Sequence, residues 1–351
     1  MIGIDISDRS IKVVEVTDEP LPVLQTVCWS PLPPQLMERG LVKDVVRLSA
    51  ELQTALTKCS PRPVAGELVV ASIPESQSFM RVLDVPAVNE QEAGEVIQWV
   101  VRRHIPFDLE RVYLDWEPVL GQPQNLPRQQ VVVGAAQREV VDPLLTVLDS
   151  LGLSVVALEL ESQAVVRCLL PRDTEELQEI RGVLIVDIGA TLTDIALFDR
   201  GAIRYTANIP WGGDDLTRRL VESMGVSPEE AVLLKSADDV GSEPNGAQVV
   251  EVLRGGVLDL AKRVARVADE IAAELPAEQH MRAILLSGGS ANVAGMTELF
   301  LSLFPGVPIQ LGNPLTNVSA GGRRGLMLSR SDAMHFTTAI GLALRPVDTM
   351  V

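Results

Sequence analysis

Two stretches of the chain decide its fold: residues 3–16, GIDISDRSIKVVEV, and residues 185–198, IVDIGATLTDIALF. Laid over each other without a gap, they place Asp5 on Asp187. Each reads as a strand that ends in an aspartate, then a short polar turn, then a second strand rich in β-branched residues. The two copies begin about half a chain apart, and this internal repeat predicts two homologous halves that face each other.

The turns in both copies predict β-hairpins. In a Walker loop or a Rossmann fingerprint the glycine turn opens a helix, whereas residues 11–16 have strand character. The pattern G-x-x-x-x-G-K-[ST] is also absent from the chain. Backbone N–H groups in a tight turn bind an anion, and an aspartate at the strand end suits Mg²⁺ held through water. Two opposed hairpins of this kind resemble the phosphate clamp of the superfamily that contains actin and the sugar kinases.

A third element, residues 283–296 (AILLSGGSANVAGM), is predicted to complete a nucleotide site. It reads as a buried strand, then Gly288 and Gly289, then the start of a helix. Glycines at such a turn let the backbone lie against a base and a ribose, where a Cβ would collide. The pattern resembles the adenosine motif of the same superfamily; the alternative is an ordinary strand-to-helix turn. Residues 158–170 and 337–344 resemble the helices that join the two halves in that superfamily.

Composition disfavours several classes of function. The formal net charge is −17 at pH 7, which opposes binding to nucleic acid and electrostatic binding to anionic lipid. The three cysteines and three histidines show no metal-ligand spacing, so we expect a reducing compartment and no zinc site. The sequence contains no uncharged apolar stretch of about 18 residues and no signal-peptide pattern at its start. We therefore expect no direct membrane insertion.

The middle of the chain, residues 79–156, reads as strand, helix, strand, strand, helix and strand. The predicted helices are 90–104 and 140–150, and the predicted strands include 79–85, 112–117 and 130–135. In the first helix one face is apolar and consists of Val96, Ile97, Val100 and Val101. An insertion that adds no catalytic residue is expected to serve contact with a partner.

This insertion and several local strings make the chain resemble the PilM family of type IV pilus assembly proteins and its relative FtsA. The strings are residues 85–88 (VPAV), 102–107 (RRHIPF, followed by Asp115), 209–217 (IPWGGDDLT) and 339–345 (AIGLALR). The resemblance covers nearly the whole chain. It implies an actin-like α/β fold with two lobes, a duplicated β-hairpin phosphate clamp, and an insertion subdomain of the FtsA and PilM type.

The resemblance also implies a division into domains, with ATP in the cleft between two lobes. The expected parts are a large lobe (1–78, with 157–180 and 331–351), an insertion subdomain (79–156), the core of a second lobe (181–210, with 281–330) and its helical cap (211–280). Within the cap we expect helices at 213–224, 228–236 and 248–273, and a surface loop at 237–247. Residues 171–181 are expected to form a charged connector.

Site residues carry over from the superfamily position by position. The expected cofactor-binding residues are Asp5, Ser7, Asp8, Arg9, Ser10, Lys12, Gly189, Ala190, Thr191, Thr193, Gly212, Gly213, Glu230, Lys235, Gly288, Gly289 and Ser290. Asp5 and Asp187 are expected to hold Mg²⁺ through water. Gln163 aligns with the glutamine that positions water in actin; the alternative is a polar residue on an exposed helix face. For Glu230 and Lys235 the alternative is a solvated helix face.

The first turn departs from the family pattern, which has a glycine after Asp-x where this chain has Ser7 and then Asp8. A Cβ on Ser7 and the negative charge of Asp8 would both oppose the approach of phosphate, with Arg9 as compensation. We therefore expect weaker nucleotide binding than in relatives.

The function implied is a cytoplasmic ATP-binding scaffold of a type IV pilus, or of a related secretion or competence system. PilM proteins bind the cytoplasmic N-terminal peptide of PilN, a membrane protein with one span, in a groove between the large lobe and the insertion. Such a partner would place this chain at the inner membrane, and a basic peptide would suit its acidic surface. Pilus motor ATPases and further copies of the chain are additional expected partners.

Two other functions compete with the scaffold. One is a filament-forming or division protein like FtsA, which carries a C-terminal amphipathic helix that this sequence lacks. The other is an ATPase switch or a kinase. The sequence shows no substrate motif and no evident general base, so we expect at most slow hydrolysis of ATP.

Overall fold

The computed structural model describes residues 1–86, 90–105, 107–119, 122, 127–236, 245–319, 326 and 328–346. The strands are β1 (Ile2–Ile6), β2 (Ser10–Val16), β3 (Leu24–Pro31), β4 (Met37–Glu38), β5 (Leu41–Val42), β6 (Leu68–Ile73), β7 (Ser78–Pro86), β8 (Val112–Pro118), β9 (Arg128–Gln137), β10 (Ser154–Leu160), β11 (Val183–Ile188), β12 (Thr193–Asp199), β13 (Ala202–Ile209), β14 (Ala283–Ser287) and β15 (Ile309–Leu311). The helices are α1 (Val45–Lys58), α2 (Glu90–Val101), α3 (Arg138–Ser150), α4 (Glu161–Leu169), α5 (Thr174–Glu179), α6 (Gly213–Met224), α7 (Pro228–Ser236), α8 (Gly246–Glu274), α9 (Met296–Leu303), α10 (Arg330–Ala333) and α11 (Thr337–Ala343).

The internal repeat builds two five-stranded sheets with the same strand order. One sheet runs β3-β2-β1-β6-β10 and the other β13-β12-β11-β14-β15. In each, the repeated hairpin pairs antiparallel strands, β1 with β2 and β11 with β12, and the next strand joins in parallel. Asp5 lies opposite Lys12, and Asp187 lies opposite Asp194. The predicted two-lobed, actin-like arrangement is confirmed.

The short helix α11 packs against α4 and β1 through close backbone contacts. All seven residues of α11 are buried. A Cβ on Gly341 would lie 1.8 Å from the carbonyl oxygen of Ala164 in α4, and one on Gly3 would lie 2.0 Å from that of Ala339. Glycine is therefore required at both positions. The predicted helix 158–170 is wrong at its start, because residues up to Leu160 pair with β6 as strand β10.

The insertion contains a three-stranded antiparallel sheet, in the order β7-β9-β8, with α2 packed on it. Ile97 and Val101 of α2 are buried with Val131 and Val133 of β9. The helix ends at Val101, and residues 102–104 form a turn instead of the predicted last helical turn. The next two elements lie with the first sheet: α3 packs against α1, and β10 is an edge strand.

The helical cap consists of α6, α7 and α8, and the predicted bounds of the first two are confirmed. The third extends slightly beyond the prediction at both ends. Most of the predicted loop 237–247 lies outside the described residues. The predicted connector contains the short helix α5, which Asp173 caps by accepting hydrogen bonds from two backbone N–H groups. Within the described part of the chain, no helix combines the length and apolarity that crossing a bilayer requires.

Substitution of Gly341 tests the packing of α11. In Gly341→Ala the new methyl group would lie 1.8 Å from a carbonyl oxygen, so we expect the free energy of unfolding to fall by about 1–3 kcal/mol. Gly255→Ala is the matched control, because Gly255 is exposed on α8 with nothing within 4 Å of its added Cβ. The control is expected to gain about 0.5–1 kcal/mol from helix propensity. Urea unfolding measures both changes, and a neutral Gly341→Ala would contradict the described contact.

Candidate functional site

The candidate site begins with a buried ion pair in the first hairpin. The Lys12 ammonium lies 3.0 Å from Oδ2 of Asp5, and the Ser72 hydroxyl donates to Oδ1 of the same carboxylate at 3.0 Å. Burial acts to lower the pKa of Lys12, but Asp5, with help from Asp187 and Glu161, outweighs burial and raises this pKa. Lys12 is therefore held in its charged form. Carboxylates of both lobes, Asp5 in the first and Asp187 in the second, lie within electrostatic reach of its ammonium group.

The second hairpin offers a carboxylate that lacks a donor. Oδ1 of Asp187 is buried and accepts no hydrogen bond. Burial raises the pKa of Asp187, the charge of Asp5 adds to the rise, and Ser287 and Lys12 oppose it. A buried acceptor without a donor costs about 1–3 kcal/mol, and a cation would satisfy it.

These two aspartates fit a Mg²⁺ ion that is shared with phosphate. Among the residues described, no three His, Cys, Asp or Glu side chains gather closely enough to hold a metal by themselves. Mg²⁺ does not require such a cage, because it usually keeps several waters and binds one or two carboxylates together with substrate phosphates. Asp187 and Asp5 are the residues that would hold it.

Three more carboxylates lie at the junction of the lobes: Glu75 after β6, Glu161 at the start of α4 and Asp194 in β12. Burial, followed by the charge of Asp194, raises the pKa of Glu161 well above its ordinary range. Burial, followed by Glu75 and Asp187, does the same for Asp194. Glu75 donates its N–H to Oε2 of Glu161 at 3.1 Å, and Ser162 donates its N–H to Oε2 of Glu75 at 3.3 Å.

Sequence reasoning missed Glu161 and Glu75. The sequence did contain an indication of their position, because each closely follows the end of a parallel strand. Asp187 likewise lies near the end of β11. Side chains at the carboxyl ends of neighbouring parallel strands meet at one edge of the sheet. The shared edge was not evident before the strand order was known.

Three loops of the second lobe are held together around glycines. The N–H of Gly213 and the hydroxyl of Ser290 both donate to the carbonyl oxygen of Gly189, at 3.0 and 3.1 Å. The ammonium of Lys235 donates to the carbonyl oxygen of Gly213 at 2.9 Å. A Cβ on Gly212 would lie 2.4 Å from the carbonyl oxygen of Ala190, so glycine is required where the loops touch. Lys235 reaches from α7 to this point, which agrees with its predicted position at the site.

The predicted adenosine motif packs against His335, which lies just before α11. Gly288 has a φ of 84°, a conformation that glycine adopts readily. A Cβ on Gly289 would lie 2.3 Å from Nδ1 of His335. Burial, and next the charge of Lys12, lower the pKa of His335, so its ring is neutral near pH 7. Sequence reasoning missed this histidine, although it is one of only three in the chain.

The structure brings most of the predicted residues to the cleft: Asp5, Ser7, Arg9, Ser10, Lys12, Asp187, Gly189, Ala190, Thr191, Gly212, Gly213, Lys235, Gly288, Gly289 and Ser290. Asp8 is an exception. Its carboxylate accepts hydrogen bonds from the N–H groups of Arg39 and Gly40, both at 2.9 Å. These two residues form the left-handed turn between β4 and β5. Asp8 thus supports that turn, and the expectation that its charge opposes phosphate stays a prediction.

The structure does not bring three other predicted residues together with these. Thr193 is fully buried, and its hydroxyl donates to the carbonyl oxygen of Trp211 at 2.8 Å. Glu230 is exposed in the first turn of α7. Gln163 follows Glu161 by two positions of α4, about 200° around the helix, and its role with water stays a prediction.

Comparison with known proteins agrees with this geometry. The family model described as type IV pilus assembly protein PilM matches residues 3–347. A solved PilM–PilN type IV pilus biogenesis complex contains a chain with 26% identity and a TM-score of 0.82, covering 98% of this chain and 97% of that one. The cell division protein FtsA of Pseudomonas aeruginosa is 26% identical, over 90% of this chain and 83% of its own length. MreB 5 of Spiroplasma citri bound to AMPPNP shares the fold, with 13% identity, a TM-score of 0.53, and coverage of 97% of this chain and 93% of that one.

The variant Glu161→Gln tests the electrostatics of the junction. A raised folded-state pKa means that the native protein binds more protons than the unfolded chain. The free energy of unfolding therefore falls as pH rises from the unfolded value, about 4.3, to the folded one. Glutamine cannot ionise and still offers an acceptor to Glu75. We expect a Tm a few degrees above that of the wild type at pH 8, and a difference that vanishes toward pH 4.

The exposed Glu176→Gln, in the first turn of α5, controls for the loss of one negative charge. It should change Tm little at either pH. Scanning calorimetry across this pH range measures both variants. A stabilisation by Glu161→Gln that is the same at pH 4 and pH 8 would show that ionisation of Glu161 is not the cause.

Proposed function

The chain belongs to the PilM family of type IV pilus assembly proteins, and from this membership we propose that it is a cytoplasmic ATP-binding scaffold that docks the N-terminal peptide of a PilN-like membrane protein. The observation that carries the nucleotide part is the pair of facing hairpins, with the buried Asp5–Lys12 ion pair on one side and the unsatisfied Oδ1 of Asp187 on the other. A polyphosphate with its Mg²⁺ would supply a second anion to Lys12 and the cation that Oδ1 of Asp187 lacks.

Each part of the nucleotide has candidate partners in the described cleft. Lys12 and the two hairpin turns are available to phosphate, and Asp5 and Asp187 to Mg²⁺. The loop at Gly288 and Gly289, with Lys235 from the cap, is available to the nucleoside. The carboxylate of Asp8 accepts two hydrogen bonds from the turn at residues 39–40, and we infer that this role in the turn outweighs any effect of Asp8 on nucleotide affinity.

Hydrolysis of bound ATP is proposed to be slow and secondary to scaffolding. Glu161 and Asp194 are candidates to hold a water, because Asp194 lies opposite Asp187 and Glu161 lies within electrostatic reach of Asp194 and Asp5. Their raised pKa values, however, favour the neutral form, and a neutral carboxyl group is a poor general base. A nucleotide that remains bound would hold the two lobes in one relative position.

The insertion is proposed as the docking element for the partner peptide. It contacts the second lobe as well as the first: Arg81 of β7 lies 3.8 Å from Glu274 of α8, and Arg204 of β13 donates to Gln130 of β9 at 2.8 Å. The affinity for a peptide bound beside the insertion would therefore depend on how the two lobes are arranged. The net charge of −17 favours a basic peptide of the kind found next to an anionic membrane surface.

Nucleotide binding is tested by thermal shift and calorimetry. Millimolar Mg-ATP should raise the Tm of the wild type, because a ligand that binds only the folded state stabilises it by about 2.7 kcal/mol at one hundred times its Kd. Asp187→Asn should lose most of this shift. The control Asp8→Asn should lower the Tm itself, through the turn at residues 39–40, and keep the shift. No shift in the wild type, or equal losses in both variants, would contradict the proposed site.

Peptide docking is tested by shortening the insertion along its own hairpin. Val82 pairs with Val132 across β7 and β9, so replacing residues 83–131 with Asn-Gly should close a two-residue hairpin. The variant keeps Met80, Val132 and Ala136, which belong to the core between the lobes. We expect it to retain the Mg-ATP shift and to lose binding of a synthetic peptide with the PilN-like N-terminus, measured by fluorescence anisotropy.

A shortened chain that binds ATP and still binds the peptide with unchanged affinity would refute docking by the insertion. The same assay addresses the second candidate function, a division role, which the similarity to FtsA favours. A wild-type chain that binds ATP but shows no affinity for the peptide would favour that role over the pilus scaffold.

A further inference from the structure

An ion pair crosses the cleft between the two lobes. Nε and Nη2 of Arg9 lie 2.9 and 2.8 Å from Oδ2 of Asp214. The two side chains are 57% and 42% exposed, so the pair lies at the mouth of the cleft in contact with solvent. Contacts of this kind contribute little to global stability, since exposed ion pairs are worth about 0–1 kcal/mol. Such a contact instead shifts the local equilibrium between conformations in which the two groups touch and conformations in which they are apart.

The two residues belong to the two loops that face each other across the site. Arg9 is in the turn between β1 and β2. Asp214 is the second residue of α6, and its own N–H donates to the carbonyl oxygen of Ala190 in the second hairpin turn at 2.8 Å. The N–H of Gly213 donates to Gly189 beside it. Because α6 is tied to the second turn in this way, the ion pair joins one phosphate turn to the other.

Phosphate competes directly for Arg9. A guanidinium group binds phosphate oxygens with paired donors, and a polyphosphate carries more charge than one carboxylate. Asp214 has the opposite relation to the ligand, because its negative charge repels an incoming anion. A second cation, Lys235, lies within electrostatic reach of Asp214. Burial lowers the pKa of Lys235, and the charge of Asp214 opposes that lowering. Breaking the pair therefore gives each residue a replacement partner.

We propose that Arg9 and Asp214 form a latch that closes the nucleotide-free cleft and that an incoming polyphosphate opens by taking over Arg9. The proposal rests on the proposed nucleotide site and adds a regulatory step to it. It assigns opposite effects to the two residues. Arg9 both closes the cleft and attracts phosphate, whereas Asp214 only closes the cleft and opposes phosphate.

Affinity for Mg-ATP separates these roles. We expect Asp214→Asn to tighten binding about threefold to fivefold, the range that one exposed ion pair provides, and Arg9→Gln to weaken binding by a similar factor. The matched control is Asp259→Asn. It breaks the pair of Asp259 with Arg219, which has similar exposure and a 3.0 Å contact but lies entirely within the cap, between α6 and α8. The control should leave affinity unchanged. Weaker binding by Asp214→Asn would overturn the latch.

A second measurement reports the latch without any nucleotide. Labels at Val46→Cys in α1 and Leu233→Cys in α7 occupy well exposed positions on opposite lobes, and the natural cysteines are buried. Double electron–electron resonance should show a longer or broader distance distribution in both Asp214→Asn and Arg9→Gln than in the parent. The double variant Arg9→Asp with Asp214→Arg should restore the parent distribution, and Asp259→Asn should not change it.

The two measurements distinguish failure of the latch from failure of the nucleotide site. Unchanged distances in both single variants would overturn the latch, even if the wild type binds Mg-ATP. A wild type that binds no Mg-ATP while the distances change as expected would refute the proposed nucleotide site and leave the closing contact supported. Longer distances together with the opposite affinity changes would support the complete proposal.

Discussion

Three backbones meet around α11 with no space for a methyl group, and the positions of the site residues depend on this contact. Gly341 touches the backbone of Ala164 in α4, and Gly3 of β1 touches that of Ala339. The strand β1 ends beside Asp5, α4 begins with Glu161, and α11 follows His335. The contact therefore fixes three groups of the cleft relative to one another.

The repeat is symmetric in its backbone and asymmetric in its charge. Lys12 in the first hairpin corresponds to Asp194 in the second, because each lies opposite the aspartate of its own hairpin. The first hairpin is therefore neutral within itself, whereas the second places two carboxylates side by side, with only the Asn208 amide donating to Asp194. Burial is the first cause of the raised pKa values there, and this excess of negative charge adds to it. The same excess supports the proposal that a cation shared with phosphate would be held at Asp187.

The sequence was sufficient for the features that depend on local pattern and was insufficient for those that depend on distant contacts. The hairpins, the glycine loops and the cap helices follow from strand character, turn residues and helical periodicity, and each lies where it was predicted. The partners of Asp8, the N–H groups at residues 39–40, could not be predicted because they come from a turn that is distant in sequence. Glu161 was missed because its place at the sheet edge depends on the pairing of β10 with β6, which no local pattern predicts. Gln163 was chosen by alignment with actin, and its role stays a prediction.

The insertion leaves and rejoins the first lobe at adjacent points, since Ser78 at the start of β7 pairs with Ala136 near the end of β9. A segment with this topology can be gained, lost or exchanged during evolution as one block, with both junctions in a single antiparallel ladder. Its sequence can also diverge faster than that of the hairpins, because its own small core is separate from the two sheets. Differences in partner choice among homologues should therefore accumulate within this block, while the nucleotide motifs change slowly around it.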